Sequence, residues 1–309
     1  MILHTGMRTD IPAFYSEWFE NRIREGFVLV RNPYNPQRVT RYRITPELVD
    51  LIGFCTKNPA PMLPRMRCLS PFNQYWFVTV TCYGPEIEPH VPRKDQVLES
   101  VRRLSDIVGP ECVGWRYDPV FLTEKYTISH HLSAFEHMAS VLEGYTKTVV
   151  FSFLDLYEKT KKNFPEGRRV SWEDQVALAR GFAEIGRTHG MTVKACAEDE
   201  GLKEYVNCDG CMTQEVYEKV LHSRIRIPGA RAARPGCACY LGGDIGAYET
   251  CMHLCRYCYA NWDARAVERN YRKHDVHSPL LTGHVLPTDL VSDAKQESWL
   301  DGQMRMELD

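Results

Sequence analysis

The sequence predicts an α/β fold, a complete or partial (β/α) barrel, with a cysteine-rich segment at its C-terminal end. Short apolar runs rich in β-branched and aromatic residues alternate with helical patterns over the first two thirds of the chain. Polar residues follow these runs at a consistent place. Eight of the twelve cysteines lie between residues 196 and 258, so we expect the last third to be organised differently from the rest.

The apolar runs are the candidate strands. They cover residues 1–5, 27–31, 51–56, 76–81, 113–117, 148–153 and 192–197. Because helical patterns separate many of them, βαβ units and a mainly parallel sheet are expected. Seven or eight such units would close or nearly close a barrel. Residues 31–40 interrupt the alternation, and their prolines and asparagines predict a hairpin turn.

Apolar periodicity predicts the helices. We expect them over residues 92–108, 130–142, 171–189 and 213–221. Ser171 and Asp174 have the spacing of a capping box, which predicts where the third helix begins. Residues 224–261 are rich in Gly, Arg and Cys and predict loops around a metal centre, and residues 290–309 predict a docked helix or a loose tail.

The boundary between two regions is placed after residue 223. Residues 1–223 are expected to form the α/β barrel-like domain, and residues 224–309 a cysteine-rich, cluster-binding segment packed on the rim of the barrel. Ligands of such folds bind at the carboxyl ends of the strands. The polar residues after the candidate strands, which include Asp118, Asp155 and Glu198, therefore predict a shared site.

Composition restricts the classes of partner. The formal net charge is −2, so no strong positive field steers the whole chain to nucleic acid or an anionic membrane. A basic run could still meet an anionic substrate or nucleic acid, although such runs are usually solvated loops: Arg224, Arg226, Arg231 and Arg234. No stretch of about 18 apolar residues predicts a membrane span. The N-terminus lacks the regions of a signal peptide, and we expect a cytoplasmic protein.

In a reducing compartment, cysteines predict metal ligands more often than disulfides. The strongest pattern is Cys251-x-x-x-Cys255-x-x-Cys258, whose three thiolates can converge on one cluster from a single loop. A 4Fe-4S cluster normally has four thiolate ligands, so three would leave one iron open. The alternative is a structural zinc site completed by His253 or another cysteine, which the gap lengths disfavour.

A second set of cysteines predicts an auxiliary metal site. Four of its five members could hold an iron–sulfur cluster or a zinc ion: Cys196, Cys208, Cys211, Cys237 and Cys239. The alternative is that Cys196 is a buried strand residue and that the close pairs are incidental.

The loop from Cys251 to Cys258, with an aromatic residue at Tyr257, resembles the cluster motif of radical S-adenosylmethionine (SAM) enzymes, closest to spore photoproduct lyase-like versions. Nearly the whole chain resembles the bacterial family of domain of unknown function 1848. The matching segments are residues 8–13, 56–59, 115–119, 155–157, 196–198, 244–248 and 251–261. Cys196, Cys211, Cys237 and Cys239 also match cysteine positions of that family.

Two features depart from these patterns. Radical SAM enzymes carry the cluster loop after the first strand, whereas here it follows the last βα unit. In a closed barrel the first and last strands are neighbours, so the loop would reach the same rim. The family usually has two arginines before Thr-Asp-Ile-Pro, and Met7 replaces the first, so only Arg8 corresponds.

The resemblance implies a specific chemistry. The open iron would chelate the amino and carboxylate groups of SAM, and one electron from a donor such as flavodoxin or ferredoxin would release a deoxyadenosyl radical that attacks an unknown substrate. Tyr257 would lie against the adenine. Asp10, Arg116 and Asp118 are candidate catalytic residues, and the two aspartates could instead cap an element or pair with arginines, including Arg8.

Two other functions remain open. One is a non-catalytic or electron-transfer protein, in which the cluster is fully ligated and SAM is ignored. The other is a DNA-repair lyase-like enzyme, suggested by the loop and the arginine run and disfavoured by the mild net charge. Gly242-Gly243-Asp244 resembles the segment that holds the SAM amine, but its position before the cysteine loop predicts only a turn.

Overall fold

Strands form where the apolar runs predict them. The computed structural model describes residues 1–229, 237 and 239–304. Its strands are β1 (Ile2–His4), β2 (Phe27–Arg31), β3 (Arg38–Arg43), β4 (Leu51–Thr56), β5 (Gln74–Thr79), β6 (Val113–Val120), β7 (Thr148–Phe153), β8 (Thr192–Ala195), β9 (Ser223–Ile225), β10 (Gly243–Asp244), β11 (Leu290–Asp293) and β12 (Leu300–Met304).

The helices also follow the predicted periodicity. They are α1 (Ile11–Phe14), α2 (Ser16–Glu25), α3 (Lys94–Val108), α4 (Ile128–Leu142), α5 (Glu158–Asn163), α6 (Trp172–Thr188), α7 (Gln214–Leu221) and α8 (Ala264–Tyr271). The capping prediction is confirmed, because the Ser171 hydroxyl accepts the N–H of Asp174 at 3.2 Å and begins α6. On α3, the predicted apolar face is the buried one, with Val97, Val101 and Leu104 in the core.

The main sheet has seven parallel strands in the order β10-β1-β4-β5-β6-β7-β8. The α/β prediction is therefore confirmed, but this sheet is open: β8 and β10 are its edges and do not pair with each other. Loop segments occupy the gap. The N–H of Ala195 donates to the carbonyl of Asn207 at 2.8 Å, and the N–H of Tyr240, which lies just before β10, donates to the carbonyl of Met212 at 2.9 Å.

Aromatic packing joins the sheet to its helices. Phe54 of β4 stacks on Trp76 of β5 with ring centroids 3.7 Å apart, and Phe19 of α2 meets Phe54 edge-on. On the other half of the sheet, Phe135 of α4 stacks on Phe182 of α6 at 4.4 Å. Trp115 of β6 also packs against Phe135. Because successive strand residues point to opposite faces, Cys55, next to Phe54, and Arg116, next to Trp115, face away from this helical layer.

Three predictions about local structure need correction. Residues 290–304 form β11 and β12 rather than a helix or a tail, since β11 pairs with β3 and β12 pairs with β9. Strands β2, β3 and β11 form a separate three-stranded sheet, in which β2 pairs with β3 as a hairpin. Strand β2 is therefore not part of the main sheet. Gly243 and Asp244 form β10, a strand parallel to β1, rather than a turn.

The junction of β10 with β1 requires a residue without a side chain at position 242. A Cβ atom built on Gly242 would lie 1.8 Å from the carbonyl oxygen of Ile2 in β1. Gly242→Ala is therefore expected to lower the free energy of unfolding by about 1–3 kcal/mol, because the backbone must shift. Urea titration measures this. Gly246→Ala is the control, since its nearest neighbour would be 3.2 Å away, and an equal loss in both variants would contradict the explanation.

No helix in the described part of the chain is long and apolar enough to cross a membrane. Of the basic run, Arg224 lies in β9 and Arg226 directly follows it, while Arg231 and Arg234 lie outside the described residues.

Candidate metal centre at the strand ends

The loop that carries Cys251, Cys255 and Cys258 lies at the carboxyl ends of the parallel strands. The Nε2 atom of His253, inside this loop, is 2.8 Å from the Oδ2 atom of Asp10. The same carboxylate accepts the N–H of Lys57, which follows β4, at 2.7 Å. Asp10 therefore ties the loop to the rim of the sheet, and its other oxygen caps α1 by accepting the N–H of Ala13 at 3.0 Å.

The three thiols of the loop lie in a low-dielectric environment and influence one another. Burial raises the pKa of Cys251, Cys255 and Cys258, and the charges of Cys258 and Cys255 raise the pKa of Cys251 further. The Sγ atom of Cys258 also accepts the N–H of Ala260 at 3.3 Å. Buried thiols of this kind become thiolates most readily when a cation compensates their charge, as the irons of a metal cluster would.

The spacing of the sulfur atoms distinguishes the two cysteine groups. Among the described residues, Cys196, Cys211 and Cys239 are the only three candidate ligands whose atoms all lie within 4.8 Å of one another. At least one pair of the three loop sulfur atoms is therefore more than 4.8 Å apart, which is farther than the ligands of one ion. In an iron–sulfur cube each thiolate binds a different iron, so a wider spacing fits a cluster.

His253 is engaged by the protein and does not fit the alternative of a zinc ligand. Its Nε2 atom is bonded to Asp10, and its Nδ1 atom lies 3.3 Å from the carbonyl oxygen of His90. Its ring also meets Phe14 edge-on. Both nitrogens therefore hold the loop in place, which disfavours a zinc site completed by His253.

Tyr257 is the residue that the resemblance places against an adenine. It is buried at 9 % exposure, packs in an aromatic group with Tyr83 and Phe121, and donates its hydroxyl to the carboxylate of Glu88. The Lys57 ammonium lies 5.6 Å from the ring centroid. The position of Tyr257 beside Cys255 is consistent with a place next to the cluster, and its stacking on an adenine stays a prediction.

The buried carboxylate of Glu88, which the sequence analysis did not single out, supports the aromatic group around Tyr257. Glu88 is 1 % exposed and accepts from Lys57 at 2.8 Å and from Thr81 at 2.8 Å, in addition to Lys94 and Tyr257. Burial alone would raise the pKa of Glu88, but the two ammonium groups outweigh it and lower the pKa to about 2. The carboxylate is therefore ionised at neutral pH and holds elements that are distant in sequence.

Arg116 and Asp118 lie together at the end of β6, as the sequence predicted. Arg116 pairs with Asp118 at 2.5 Å, and Ser152 of β7 donates its hydroxyl to the other oxygen of Asp118. The two side chains keep 17 % and 22 % exposure although they lie at the middle of the sheet, so both remain partly accessible to solvent. A catalytic role for Asp10, Arg116 or Asp118 stays a prediction.

Arg8 pairs with Asp244 rather than with Asp10. Its Nη2 atom donates to the carbonyl of Asp244 at 2.8 Å, and the two side chains keep 14 % and 15 % exposure. The pair joins residues 236 positions apart in the chain. Asp10 instead caps α1 and pairs with His253. Its predicted pairing with Arg8 is not observed.

The strand ends also carry Glu198, which the sequence placed in the shared site, and two residues that the sequence reasoning missed, Tyr259 and His4. Burial raises the pKa of Glu198 to about 7, which suits proton transfer near neutral pH better than the lowered pKa of Asp118 does. Tyr259 remains 47 % exposed and donates its hydroxyl to the carbonyl of Met7. His4 is 1 % exposed, and neither ring nitrogen has a hydrogen-bond partner in the described part of the structure. Tyr259 and His4 can be identified only from the residues that surround them in the folded structure.

The second cysteine set forms a separate buried group. The Sγ atom of Cys211 lies 3.5 Å from that of Cys196 and 3.3 Å from that of Cys239. The Cys237 thiol is hydrogen-bonded to Cys239. Cys208 is not part of the group, since its Sγ atom lies 3.7 Å from the carbonyl oxygen of Val206. A buried group of cysteines that can hold a metal is therefore present.

One protein-family model matches most of the chain, including the residues described above. The model of the family described as domain of unknown function (DUF1848) matches residues 2–260, which include the seven strands of the main sheet and the whole loop from Cys251 to Cys258. No curated protein matches the chain. The match covers well over half of the chain and confirms the resemblance to this family, so the protein belongs to the DUF1848 family.

Proposed function

We propose that this protein is a radical SAM enzyme that binds a 4Fe-4S cluster through Cys251, Cys255 and Cys258 and cleaves SAM reductively. The observation that carries the proposal is the separation of the two cysteine groups. A closed electron-transfer cluster needs a fourth thiolate, and Cys237 and Cys239 are the candidates nearest in sequence. The Sγ atom of Cys239 instead lies 3.3 Å from that of Cys211, and the Cys237 thiol is hydrogen-bonded to Cys239.

The place of the loop supports the same function. It lies where parallel α/β folds bind their ligands, at the carboxyl ends of the strands. Beside it the strand ends carry charged groups with residual exposure, notably Arg116, Asp118 and Arg8. An electron carrier has no use for partly exposed charged groups next to its cluster, whereas an enzyme needs polar groups that can contact a second molecule.

The chain's own residues would bind and orient the reactants. Asp10 and His253 hold the loop against the rim, Glu88 and Lys57 hold Tyr257, and the buried aromatic wall excludes water. When bound, the cluster would supply one electron and an open iron position for the amino and carboxylate groups of SAM. Arg116 and Arg8 keep some exposure and offer positive charge to a substrate, although both are already paired with carboxylates.

Release of deoxyadenosine tests this proposal. Protein reconstituted anaerobically with iron and sulfide is incubated with SAM and a low-potential reductant, and products are measured by liquid chromatography. We expect deoxyadenosine and methionine in equal amounts, formed slowly because the substrate is absent. Reactions without reductant are the control. An intact cluster that yields no deoxyadenosine under reduction would contradict the proposal and favour an electron-transfer protein.

A further inference from the structure

We propose that Cys196, Cys211, Cys237 and Cys239 bind a single zinc ion, which links the two edges of the open sheet. The site is distinct from the cluster loop and does not depend on the function proposed above. The proposal chooses a single ion over an auxiliary cluster. The spacing of the cysteines along the sequence leaves both possibilities open.

The distances between the sulfur atoms favour one ion. Thiolates at about 2.3 Å from a tetrahedral zinc ion lie about 3.8 Å from one another. In the structure, Cys211 lies 3.5 Å from Cys196 and 3.3 Å from Cys239, and all three sulfur atoms are within 4.8 Å of one another. The ligands of an iron–sulfur cube each bind a separate iron and would be much farther apart. The sulfur atoms are therefore too close together to bind a cluster, and they need to move apart only slightly to bind a zinc ion.

A fourth thiol lies next to the group, and groups that can balance its charge are present. Cys237 is hydrogen-bonded to Cys239, so its sulfur lies beside that one member of the group and would have to move closer to Cys196 and Cys211 to complete the site. Four thiols that lose four protons to bind Zn²⁺ give a site with a net charge of about −2. The Nη1 atom of Arg116 lies 3.8 Å from Cys211, and the N–H groups of Cys211 and Met212 approach the sulfur of Cys239 at 3.4 and 3.3 Å. A positive side chain and two backbone donors thus stabilise the negative charge.

The position of the group indicates a structural function. Cys196 directly follows β8, which is one edge of the main sheet, and Cys239 lies four residues before β10, which is the other edge. Cys211 lies between them in sequence, shortly before α7 and next to the hydrogen bond from Tyr240 to Met212. An ion bound by all these residues would hold the two edges of the sheet together, because β8 and β10 do not pair with each other through backbone hydrogen bonds. A zinc ion with four protein ligands has no open position, as in structural sites.

Metal analysis of variants tests the inference. The triple variant Cys251→Ala, Cys255→Ala, Cys258→Ala removes the cluster loop as a metal site, and we expect it to retain about one zinc per chain by mass spectrometry. Adding Cys211→Ser should remove that zinc and lower the melting temperature. Adding Cys208→Ser instead should leave both unchanged, since Cys208 faces Val206.

A second measurement covers the case in which the Cys211→Ser protein does not fold. Zinc-edge X-ray absorption of the triple variant should show four sulfur neighbours at about 2.3 Å. A disulfide within the group, iron in place of zinc, no bound metal, or zinc retained after Cys211→Ser would each overturn the assignment.

Discussion

Cys255→Ala is expected to abolish the proposed iron–sulfur cluster and, with it, the proposed cleavage of SAM. Cys255 is the most buried of the three loop cysteines, lies against the aromatic wall of Tyr83, Phe121 and Tyr257, and has Lys57 as a nearby positive group. With one of three thiolates gone, the loop cannot hold a cube. Iron should fall from about four atoms per chain to less than about one after anaerobic reconstitution. Deoxyadenosine should fall below detection.

Cys68→Ala is the matched control for this experiment. Cys68 is a half-buried cysteine in the 3-10 helix Leu63–Leu69 and belongs to neither cysteine group. Iron content and deoxyadenosine formation should stay at the level of the unmodified protein. Retention of a full cluster in Cys255→Ala would show that other residues bind it.

Glu88→Gln is expected to cause the largest loss of stability among substitutions that keep the cysteines. The side chain is 1 % exposed and pairs with both Lys57 and Lys94. Removing the negative charge leaves two ammonium groups without their buried partner, which costs about 3–5 kcal/mol. The free energy of unfolding from urea titration at neutral pH measures this. Glu99→Gln is the control, because its pair with Arg102 is exposed at the surface and should contribute less than about 1 kcal/mol.

The pH dependence of this effect has a definite sign. The pKa of Glu88 is lowered from 4.5 to about 2 in the folded protein. A carboxyl group with a lowered pKa contributes its full stability above the unfolded value and loses it as the pH falls toward the folded value. The difference between the unmodified protein and Glu88→Gln should therefore shrink between about pH 4.5 and pH 2. A constant difference over this window would show that Glu88 acts through its shape rather than its charge.

Patterns that depend on neighbours in sequence predicted most of the fold. Strands β4, β7 and β8 begin where apolar runs begin, because strands of a parallel sheet are covered on both faces. The cap at Ser171 and the hairpin between β2 and β3 also follow from local chemistry. The cysteine loop was found by the spacing of three residues.

Features that depend on distant pairs were not predicted. The Arg8–Asp244 pair and the placement of β10 beside β1 join opposite ends of the chain, and no local pattern specifies either. Strands β11 and β12 are mostly exposed and lack the apolar alternation that marks a buried strand. Five nearby cysteines could not be sorted by spacing, because the choice between Cys208 and its neighbours depends on where the loops turn.

The most direct test of the central claim is electron–nuclear double resonance on the reduced protein mixed with SAM that is isotopically labelled in its amino nitrogen. If Cys251, Cys255 and Cys258 leave one iron open, the labelled nitrogen should bind that iron and show a hyperfine coupling to the reduced 4Fe-4S cluster. An intact reduced cluster whose spectrum is unchanged by SAM, with no coupling to the label, would contradict the radical SAM proposal.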